Sequence, residues 1–176
     1  MKSLRKIARN VLLKKRCYPR WVLEKKIFPS LKNKKILLVG VADYTKDYPK
    51  ILKYNDVTTI DLNPYAAEFG AKKHIIGNIS NVKIKEKFDV IIMFGILNWG
   101  LDYEEDAENA LKNCYNILNN NGLLIIGWNP KKENHNKINP RTLKNFRMFQ
   151  PIDLFGIGSG NIIKGDFIFE FLIRKD

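Results

Sequence analysis

The sequence predicts an α/β protein with a doubly wound, mostly parallel, seven-stranded sheet and a basic helical extension at its N-terminus. Three observations support this fold class. Residues 35–40 form an apolar run that ends in Gly40, and residues 57–61 form a β-branched run that ends in Asp61. Continuous apolar runs are typical of parallel strands that are buried on both faces. Helical patterns separate successive runs, and this alternation indicates a parallel sheet covered by helices.

Charge divides the 176 residues into two parts. Residues 1–37 carry 13 of the 31 Lys and Arg residues and a single acid, Glu24, whereas the rest of the chain is nearly neutral. We therefore predict a basic amphipathic helical extension at residues 1–34 and one α/β domain at residues 35–176. An argument from charge about binding partners applies to the extension alone.

The N-terminal extension shows a helical pattern. Apolar residues recur every three or four positions over residues 3–16, and a shorter amphipathic turn follows, up to Pro29. Either this segment packs on the domain and exposes its basic face, or residues 3–28 contact a membrane surface or another anionic partner. Under the second hypothesis, deleting residues 1–30 would abolish liposome association and spare ligand binding by the domain.

Seven strands are predicted along the domain. Short helices that begin at Pro49 and Pro64 separate some of them, and Gly70 ends the second of these helices. The predicted strands lie at residues 35–40, 56–61, 73–77, 88–94, 122–128, 146–154 and 167–173.

The helix at residues 103–119 has the clearest pattern in the chain. Its apolar residues, Cys114 among them, recur at helical spacing and predict a buried stripe. Asp102 is predicted to cap the N-terminus of this helix, with Glu105 reaching back as in a capping box. The polar residues 129–140 follow the fifth strand and are predicted to form a loop.

Composition narrows the class of protein. No stretch approaches the roughly 20 apolar residues that span a bilayer, and no secretory signal is recognisable. Cys17 and Cys114 lie far apart in the chain, which argues against a disulfide framework or a metal site. We therefore expect a cytoplasmic protein, and the basic N-terminus leaves peripheral association with a membrane surface open.

Gly40 and Asp61 end neighbouring strands of the predicted sheet, and their chemistry indicates a nucleoside cofactor. A glycine directly after a strand lets a ligand approach the backbone closely. A carboxylate at the tip of the next strand can accept both hydroxyls of a ribose. The G-x-G-x-x-G pattern of nicotinamide enzymes is absent, because Ala42 and Thr45 stand where glycines belong.

The order of motifs resembles that of the class I S-adenosylmethionine-dependent methyltransferases, which have a Rossmann-like fold. The resemblance covers residues 35–176, about four fifths of the chain. It is carried by segments that match the family's motifs in order: Leu37-Leu38-Val39-Gly40, Ile60-Asp61-Leu62, Ile76-Gly77-Asn78-Ile79, Lys87-Phe88-Asp89-Val90-Ile91-Ile92 and Asn121-Gly122-Leu123-Leu124-Ile125-Ile126.

A closer resemblance is to a subgroup found among bacterial polysaccharide genes. This resemblance implies that the methyl acceptor is a sugar or another small hydroxyl compound, free or lipid-linked. Four stretches match that subgroup in order: Val39-Gly40 to Tyr44-Thr45, Thr59-Ile60-Asp61, Phe69-Gly70 with His74, and Gly95 with Trp99-Gly100-Leu101.

Two motifs depart from the family pattern. Leu38 stands where the family usually carries an acid, and Ala42 and Tyr44 stand where it carries further glycines. Asn78 replaces the usual aspartate of the third motif. Its amide oxygen can accept a hydrogen bond from the amine of adenine, without the strength that a charge adds. These departures leave a non-catalytic binding or scaffold protein as an alternative.

The resemblance implies S-adenosylmethionine as the cofactor and a set of residues that hold it. Asp61 is expected to bind the ribose, and Asn78 is expected to lie beside the adenine. The full set of expected cofactor-binding residues is Gly40, Val41, Ala42, Tyr44, Asp61, Leu62, Asn78, Ile79, Phe94 and Gly95.

The acceptor is expected after the fourth strand, at residues 94–102, and under the loop at residues 129–140. Methyl transfer to an alcohol gains from a general base, and the candidates are His135, Asn98 and Asp102. His74 begins a strand, at the end of the sheet remote from the chemistry, and is expected to be structural. Trp99 either walls the acceptor pocket or packs against the helix that follows.

Nucleic acid is a further alternative as a partner, through the basic extension. Asn63-Pro64-Tyr65 is similar to a motif of methyltransferases that act on nucleic-acid bases. That motif follows the fourth strand in those enzymes, whereas Asn63 follows the second strand here. We therefore expect no methylation of bases, and we regard nucleic acid as a weaker alternative than a small acceptor. Steep salt dependence would be the sign of phosphate contacts.

Overall fold

Eight strands join into a mixed sheet within the part of the chain that the structure describes, residues 11–15, 17–130, 138–164 and 167–176. In this computed structural model, the seven longer strands are those predicted, and one two-residue strand is added. The strands are β1 (Lys35–Val39), β2 (Asp56–Asp61), β3 (Lys73–Ile76), β4 (Phe88–Phe94), β5 (Leu118–Trp128), β6 (Phe149–Pro151), β7 (Ile162–Ile163) and β8 (Phe167–Arg174).

The sheet follows the predicted doubly wound path, with the order β3-β2-β1-β4-β5-β8-β6. From β1 the chain moves outward through β2 to β3, returns to the other side of β1 as β4, and continues to β5, all in parallel. β8 runs antiparallel to β5, and both β6 and β7 pair with β8. The path therefore reverses between β1 and β4, whose carboxyl ends frame a crevice.

Short helices connect the strands, and prolines begin several of them because their fixed φ angle suits a first helical turn. Helix α1 (Tyr18–Val22) continues into a π-helical turn at Leu23–Ile27 and a 3-10 turn at Phe28–Ser30. Helix α2 is Tyr48–Ile51, and helix α3 is Glu104–Ile117. Further 3-10 turns lie at Asp43–Thr45, Pro64–Phe69, Pro140–Thr142 and Lys144–Met148.

Two apolar layers cover the sheet, one on each face. Successive side chains of a strand point to opposite faces, so Leu37 of β1 packs with α3 whereas Leu38 packs with the N-terminal segment. Burial raises the pKa of the Cys114 thiol to about 12, which suits a core residue. The stripe of α3 is the predicted one: Ala107, Ala110, Leu111, Cys114 and Ile117.

The described part of the N-terminal extension belongs largely to the core. Val22, Leu23 and Phe28 are buried and share one apolar cluster with Phe169 of β8. Packing on the domain therefore holds for residues 18–31. The predicted helix at residues 3–16 lies mostly outside the described residues, apart from a helical stretch at 11–15. None of the described helices has the length and apolar character needed to cross a bilayer.

The start of α3 differs from the prediction. Tyr103 precedes the helix, and no side-chain hydrogen bond caps it. The Asp102 carboxylate accepts a hydrogen bond from the backbone N–H of Gly100 at 3.4 Å, within the tight turn before the helix. The prediction of Asp102 as the cap is therefore wrong. Negative charge at this positive end of the helix comes from the first turn, from Glu104, Glu105 and Asp106.

Strand β5 begins earlier than predicted. Helix α3 ends at Ile117, and the chain enters the sheet at Leu118 without a separate turn. The side-chain amide of Asn119 donates to the Asp89 carboxylate of β4 at 2.8 Å. This contact between β5 and β4 keeps residues in the sheet that the sequence pattern assigns to the end of a helix.

Strand β6 is shorter than the predicted strand at 146–154. The Glu108 carboxylate of α3 accepts hydrogen bonds from the backbone N–H groups of Lys144 and Asn145, the second at 2.9 Å. These bonds stabilise a helical turn at Lys144–Met148, so the extended segment begins only at Phe149.

Candidate active site

A cleft with two adjoining chambers opens at the carboxyl ends of β1, β2 and β4. The first chamber has a volume of about 490 Å³ and the second of about 390 Å³. The cleft lies where the strand order reverses, which is the position at which open α/β sheets bind ligands. The two chambers meet at the residues that line both of them: Val39, Gly40, Asp61, Ile96 and Trp99.

Gly40 and Gly95 shape the base of this cleft. The φ angle of Gly40 is +82°, and a Cβ atom there would lie 2.7 Å from Cγ2 of Ile96. Gly95, directly after β4, has a φ angle of +73°. Residues with a side chain rarely adopt these angles. Both turns therefore leave the backbone accessible to a ligand at the ends of β1 and β4.

Asp61 lies at the junction of the chambers and already holds two backbone groups. Its Oδ2 atom accepts the N–H of Val41 at 2.8 Å, and its Oδ1 atom accepts the N–H of Asn63 at 2.8 Å. These bonds join the loop after β1 to the turn after β2. Because an ionised carboxylate offers about four acceptor positions, two remain for the hydroxyls of a ligand. The geometry suits ribose binding and turn capping together.

The second chamber is lined mainly by apolar groups and contains the residues expected beside adenine. Ile79 is buried in its wall, whereas Leu62 exposes 67% of its surface. The Oδ1 atom of Asn78 accepts the backbone N–H of Ser80 at 3.0 Å, which fixes the amide beside the chamber. This oxygen keeps a second lone pair for an amine donor.

The first chamber is lined by Val41, Tyr44, Phe94 and Gly95 of the expected set. Ala42 is absent from the described lining of both chambers. The Thr45 hydroxyl accepts the N–H of Ala42 and donates to its C=O, both at 2.9 Å. These two bonds fix the shape of the loop at Ala42, and a role of this residue in cofactor binding stays a prediction.

Sequence reasoning missed the residues that distant segments bring to the first chamber. These are Cys17 and Arg20 before and within α1, Tyr48 of α2, Asn129 after β5 and Phe167 of β8. The Arg20 guanidinium lies 4.4 Å from the ring centroid of Tyr44, a contact that joins the N-terminal segment to the loop after β1. No motif signals these contacts, because they join segments far apart in the chain.

Of the three candidate catalytic residues, the structure describes Asn98 and Asp102, and neither is among the described residues that line the cleft. Asn98 is 3% exposed; its Oδ1 atom accepts the N–H of Ile138 at 2.9 Å, and its Nδ2 atom donates to the C=O of Ile138 at 3.3 Å. Asn98 therefore fastens the end of the polar segment to the turn after β4. Asp102 bonds Gly100, as described above. His135 lies outside the described residues.

The structure places His74 and Trp99 in different surroundings. The Nδ1 atom of His74 lies 2.9 Å from the Thr59 hydroxyl, between β3 and β2, and His74 is absent from the described lining of the cleft. Trp99 lines both chambers and exposes 60% of its surface. Of the two roles predicted for Trp99, the structure supports the cleft wall.

The cleft fits a nucleoside with a second arm. Asp61 lies between an apolar chamber suited to adenine and a larger chamber that leads past Gly40, so one molecule can extend through both. S-adenosylmethionine has this shape, with adenine, ribose and an amino-acid arm. Fold and cleft together define a doubly wound α/β enzyme with a nucleoside cofactor.

The chain belongs to the methyltransferase family described as "Methyltransferase domain", whose profile matches residues 38–126, about half of the chain. The matched region runs from β1 to β5 and includes Gly40, Asp61 and Gly95. No curated protein matches the chain.

Solved methyltransferases have the same fold. The chain is similar to a TehB-like SAM-dependent methyltransferase from Corynebacterium glutamicum, with a TM-score of 0.68, 19% identity, and 99% and 98% of the two chains covered. It is also similar to the N-methyltransferase NodS from Bradyrhizobium japonicum, with a TM-score of 0.65, 16% identity and 97% of each chain covered. A NodS complex with S-adenosylhomocysteine matches with a TM-score of 0.65 and 15% identity over 89% and 92% of the chains. The protein is thus an S-adenosylmethionine-dependent methyltransferase of class I.

Proposed function

We propose that the protein methylates a hydroxyl group of a sugar or of another small hydroxyl compound. The observation that carries this proposal is the aromatic character of the first chamber, beside the cofactor landmarks Gly40 and Asp61. Tyr44 and Trp99 each expose 60% of their surface and line this chamber together with Phe94 and Phe167. The Arg20 guanidinium covers one face of Tyr44, so the exposed ring of Trp99 is the main surface here for the C–H face of a sugar ring.

The resemblance to a subgroup found among bacterial polysaccharide genes supports the same acceptor. It rests on Gly95 with Trp99-Gly100-Leu101 and on the stretches before them. Trp99 is thus both a residue of the subgroup pattern and a wall of the chamber. This coincidence of pattern and position supports a sugar acceptor by analogy with the subgroup.

The residues of the cleft contribute mainly position and exclusion of water. When bound, S-adenosylmethionine supplies an electrophilic methyl group on its sulfonium. Asp61 and the backbone at Gly40 would hold the cofactor, and Trp99 would shield the acceptor hydroxyl from solvent. Orientation of two reactants at a distance of about 3–3.5 Å accounts for a large share of the rate gain in such displacements.

An amine acceptor is the second candidate. The described lining of the first chamber contains no histidine, and its carboxylate, Asp61, already holds two backbone amides. An amine needs less help from a general base than an alcohol does. The similar solved protein NodS is named an N-methyltransferase, and this name favours the same alternative.

A methylation assay separates the two candidates. The full chain is incubated with S-adenosylmethionine and a panel of neutral sugars, amino sugars and lipid-linked sugars, and the products are analysed by mass spectrometry and NMR. We expect the wild type to form a methyl ether. We expect Asp61→Ala to lower turnover at least tenfold, because the substitution removes a carboxylate that can accept charge-assisted hydrogen bonds from the cofactor. A methylamine product would replace the first candidate by the second.

We propose as well that the basic extension can bring the enzyme to a membrane that carries a lipid-linked acceptor. Of the residues 3–28, Val22, Leu23 and Phe28 are buried in the core and are not available for this contact. Among the described residues before α1, Val11 and Leu12 are about half exposed, next to Lys14 and Lys15. Apolar residues beside lysines are typical of helices that bind anionic lipid surfaces.

A further inference from the structure

The first chamber contains a buried polar group, the hydroxyl of Tyr48, whose proton has no acceptor within the described part of the chain. Tyr48 is 5% exposed, and its hydroxyl donates to no acceptor among the described residues. Buried polar groups in native proteins are generally paired, and each exception calls for an explanation. Because Tyr48 lines the first chamber, a molecule that fills this chamber can supply the missing partner.

The missing partner is a hydrogen-bond acceptor. Burial raises the pKa of the Tyr48 phenol above its ordinary value; the Arg20 guanidinium opposes this rise through its charge and through a hydrogen-bonding approach to the phenol oxygen, and the Glu24 carboxylate adds to the rise. The phenol is therefore protonated at neutral pH and carries an O–H to donate. An oxygen that bears negative charge is the strongest acceptor for such a donor.

Arg20 brings a positive charge to the same chamber. Its guanidinium lies over the Tyr44 ring, 4.4 Å from the centroid, and none of the ion pairs between described residues includes it. Stacking occupies the face of the guanidinium, whereas its five N–H donors point outward in the plane. Those donors match the two oxygens of a carboxylate.

The two groups are held in place by the core. Helix α1 leads into Leu23 and Ile27, which are fully buried, so Arg20 is anchored one turn away. Phe28 contacts the Tyr48 ring edge-on, with 5.0 Å between the centroids. Preformed donors bind a ligand at a smaller cost than donors that must first be ordered. Arg20 also lies outside the matched family region at residues 38–126.

We propose that Arg20 and Tyr48 form a binding site for a carboxylate, or a similar oxyanion, of the molecule in the first chamber. Two molecules can supply this group: the cofactor, through the carboxylate of its amino-acid arm, and the acceptor, through an acid group on a sugar. The chemistry of recognition is the same in both cases. The proposal rests on the assignment of the first chamber given under the proposed function.

Calorimetric titration of the full chain tests the cofactor as the source. The ligands are S-adenosylhomocysteine and 5′-methylthioadenosine, which lacks the carboxylate arm. We expect Arg20→Met and Tyr48→Phe to lower the affinity for S-adenosylhomocysteine about tenfold or more, as the loss of a hydrogen bond to a charged group does. The affinity for 5′-methylthioadenosine should stay unchanged. Arg20→Lys should retain part of the affinity. The control is Arg147→Met, which changes the same charge at an exposed position.

A second titration tests the acceptor as the source. If S-adenosylhomocysteine binds both variants as it binds the wild type, the loaded protein is titrated with glucuronate and with glucose by ligand-observed NMR. Weaker glucuronate binding in the variants, with glucose unchanged, assigns the site to the acceptor. The proposal is overturned if the variants bind S-adenosylhomocysteine and 5′-methylthioadenosine with equally reduced affinity, or if they bind every ligand as the wild type does. These titrations need no turnover, so a failed sugar methylation assay leaves their result intact.

Discussion

Asp61 holds two turns of the fold at the edge of the cleft in which the cofactor is expected. Its two oxygens hold the N–H groups of Val41 and Asn63 and still offer acceptor positions to a ribose. Gly40 is similar, since its positive φ angle both ends β1 and exposes the backbone. Both residues were predictable from the sequence, because each ends a strand pattern. Arg20 and Tyr48 were not, because their meeting depends on the packing of α1 against α2.

Removal of the Tyr48 hydroxyl, which donates to no acceptor among the described residues, should stabilise the ligand-free protein. We expect Tyr48→Phe to raise the free energy of unfolding by about 1 kcal/mol, since it removes a buried unsatisfied group and keeps the ring contacts. Urea denaturation without ligand measures this change. Tyr115→Phe is the matched control: its hydroxyl donates to the C=O of Lys175 at 2.9 Å, so its loss should be neutral or destabilising. A comparable destabilisation at Tyr48 would refute the expectation.

At the level of elements, the periodic sequence patterns predicted the main strands and the main helix, whereas tertiary contacts determine where some of these elements begin and end. The apolar runs of β1 and β4 and the stripe of α3 match the structure because burial on the sheet imposes their pattern. The start of α3 and the extent of β6 do not match. Gly100 draws Asp102 away from the helix end, and Glu108 fixes a helical turn before β6. Neither contact leaves a periodic trace in the sequence.

Two truncations separate the anchored part of the N-terminal segment from the part before it. Removal of residues 1–15 should preserve the fold and the binding of S-adenosylhomocysteine. Removal of residues 1–30 should abolish both, contrary to the expectation from the sequence. It deletes Val22, Leu23, Ile27 and Phe28 from the core, and each large buried side chain contributes about 2–5 kcal/mol, against a typical total stability of about 5–15 kcal/mol.

Circular dichroism, urea denaturation and calorimetry report the outcome of the truncations. A folded, cofactor-binding protein without residues 1–30 would contradict the packing described above. The shorter truncation also tests the membrane proposal, through co-sedimentation with anionic and neutral vesicles. Equal sedimentation of the full chain and of the chain without residues 1–15 would remove the membrane contact from the proposed function.

Across the whole molecule, Asp89 links three strands of the sheet. It lies on β4, its Oδ2 atom accepts the N–H of Lys35 in β1 at 2.8 Å, and its Oδ1 atom accepts the amide of Asn119 in β5 at 2.8 Å. The hydrogen bond from Lys35, followed by that from Asn119, holds the pKa of Asp89 below its usual value, against the effect of desolvation. A lowered pKa means that the folded state favours the ionised form.

The contribution of Asp89 to stability should therefore depend on pH. It is fully present above the unfolded pKa of about 3.9 and is lost as the pH falls through the lower folded pKa. We expect Asp89→Asn to lower the free energy of unfolding by about 1–2 kcal/mol at pH 7, because the amide cannot accept both bonds without a donor facing a donor. The difference from wild type should shrink at pH 3, measured by urea denaturation.

The control for this prediction is Asp56→Asn. Asp56 pairs with Lys73 at 2.9 Å, with both side chains about half exposed, and surface pairs of this kind contribute about 0–1 kcal/mol. An equal loss of stability for both variants would show that net charge is responsible and not the bonds of Asp89.

The contact between residues 22–28 and β8 joins two segments that lie far apart in the sequence. During synthesis, Leu23 and Phe28 leave the ribosome well before Phe169 and Phe171. Contacts of such long sequence separation form slowly, since a large loop must close before they stabilise anything. The apolar segment at residues 22–28 therefore stays uncovered until β8 has been synthesised and packs on it, and the chamber wall formed by Arg20 is completed only in this late step.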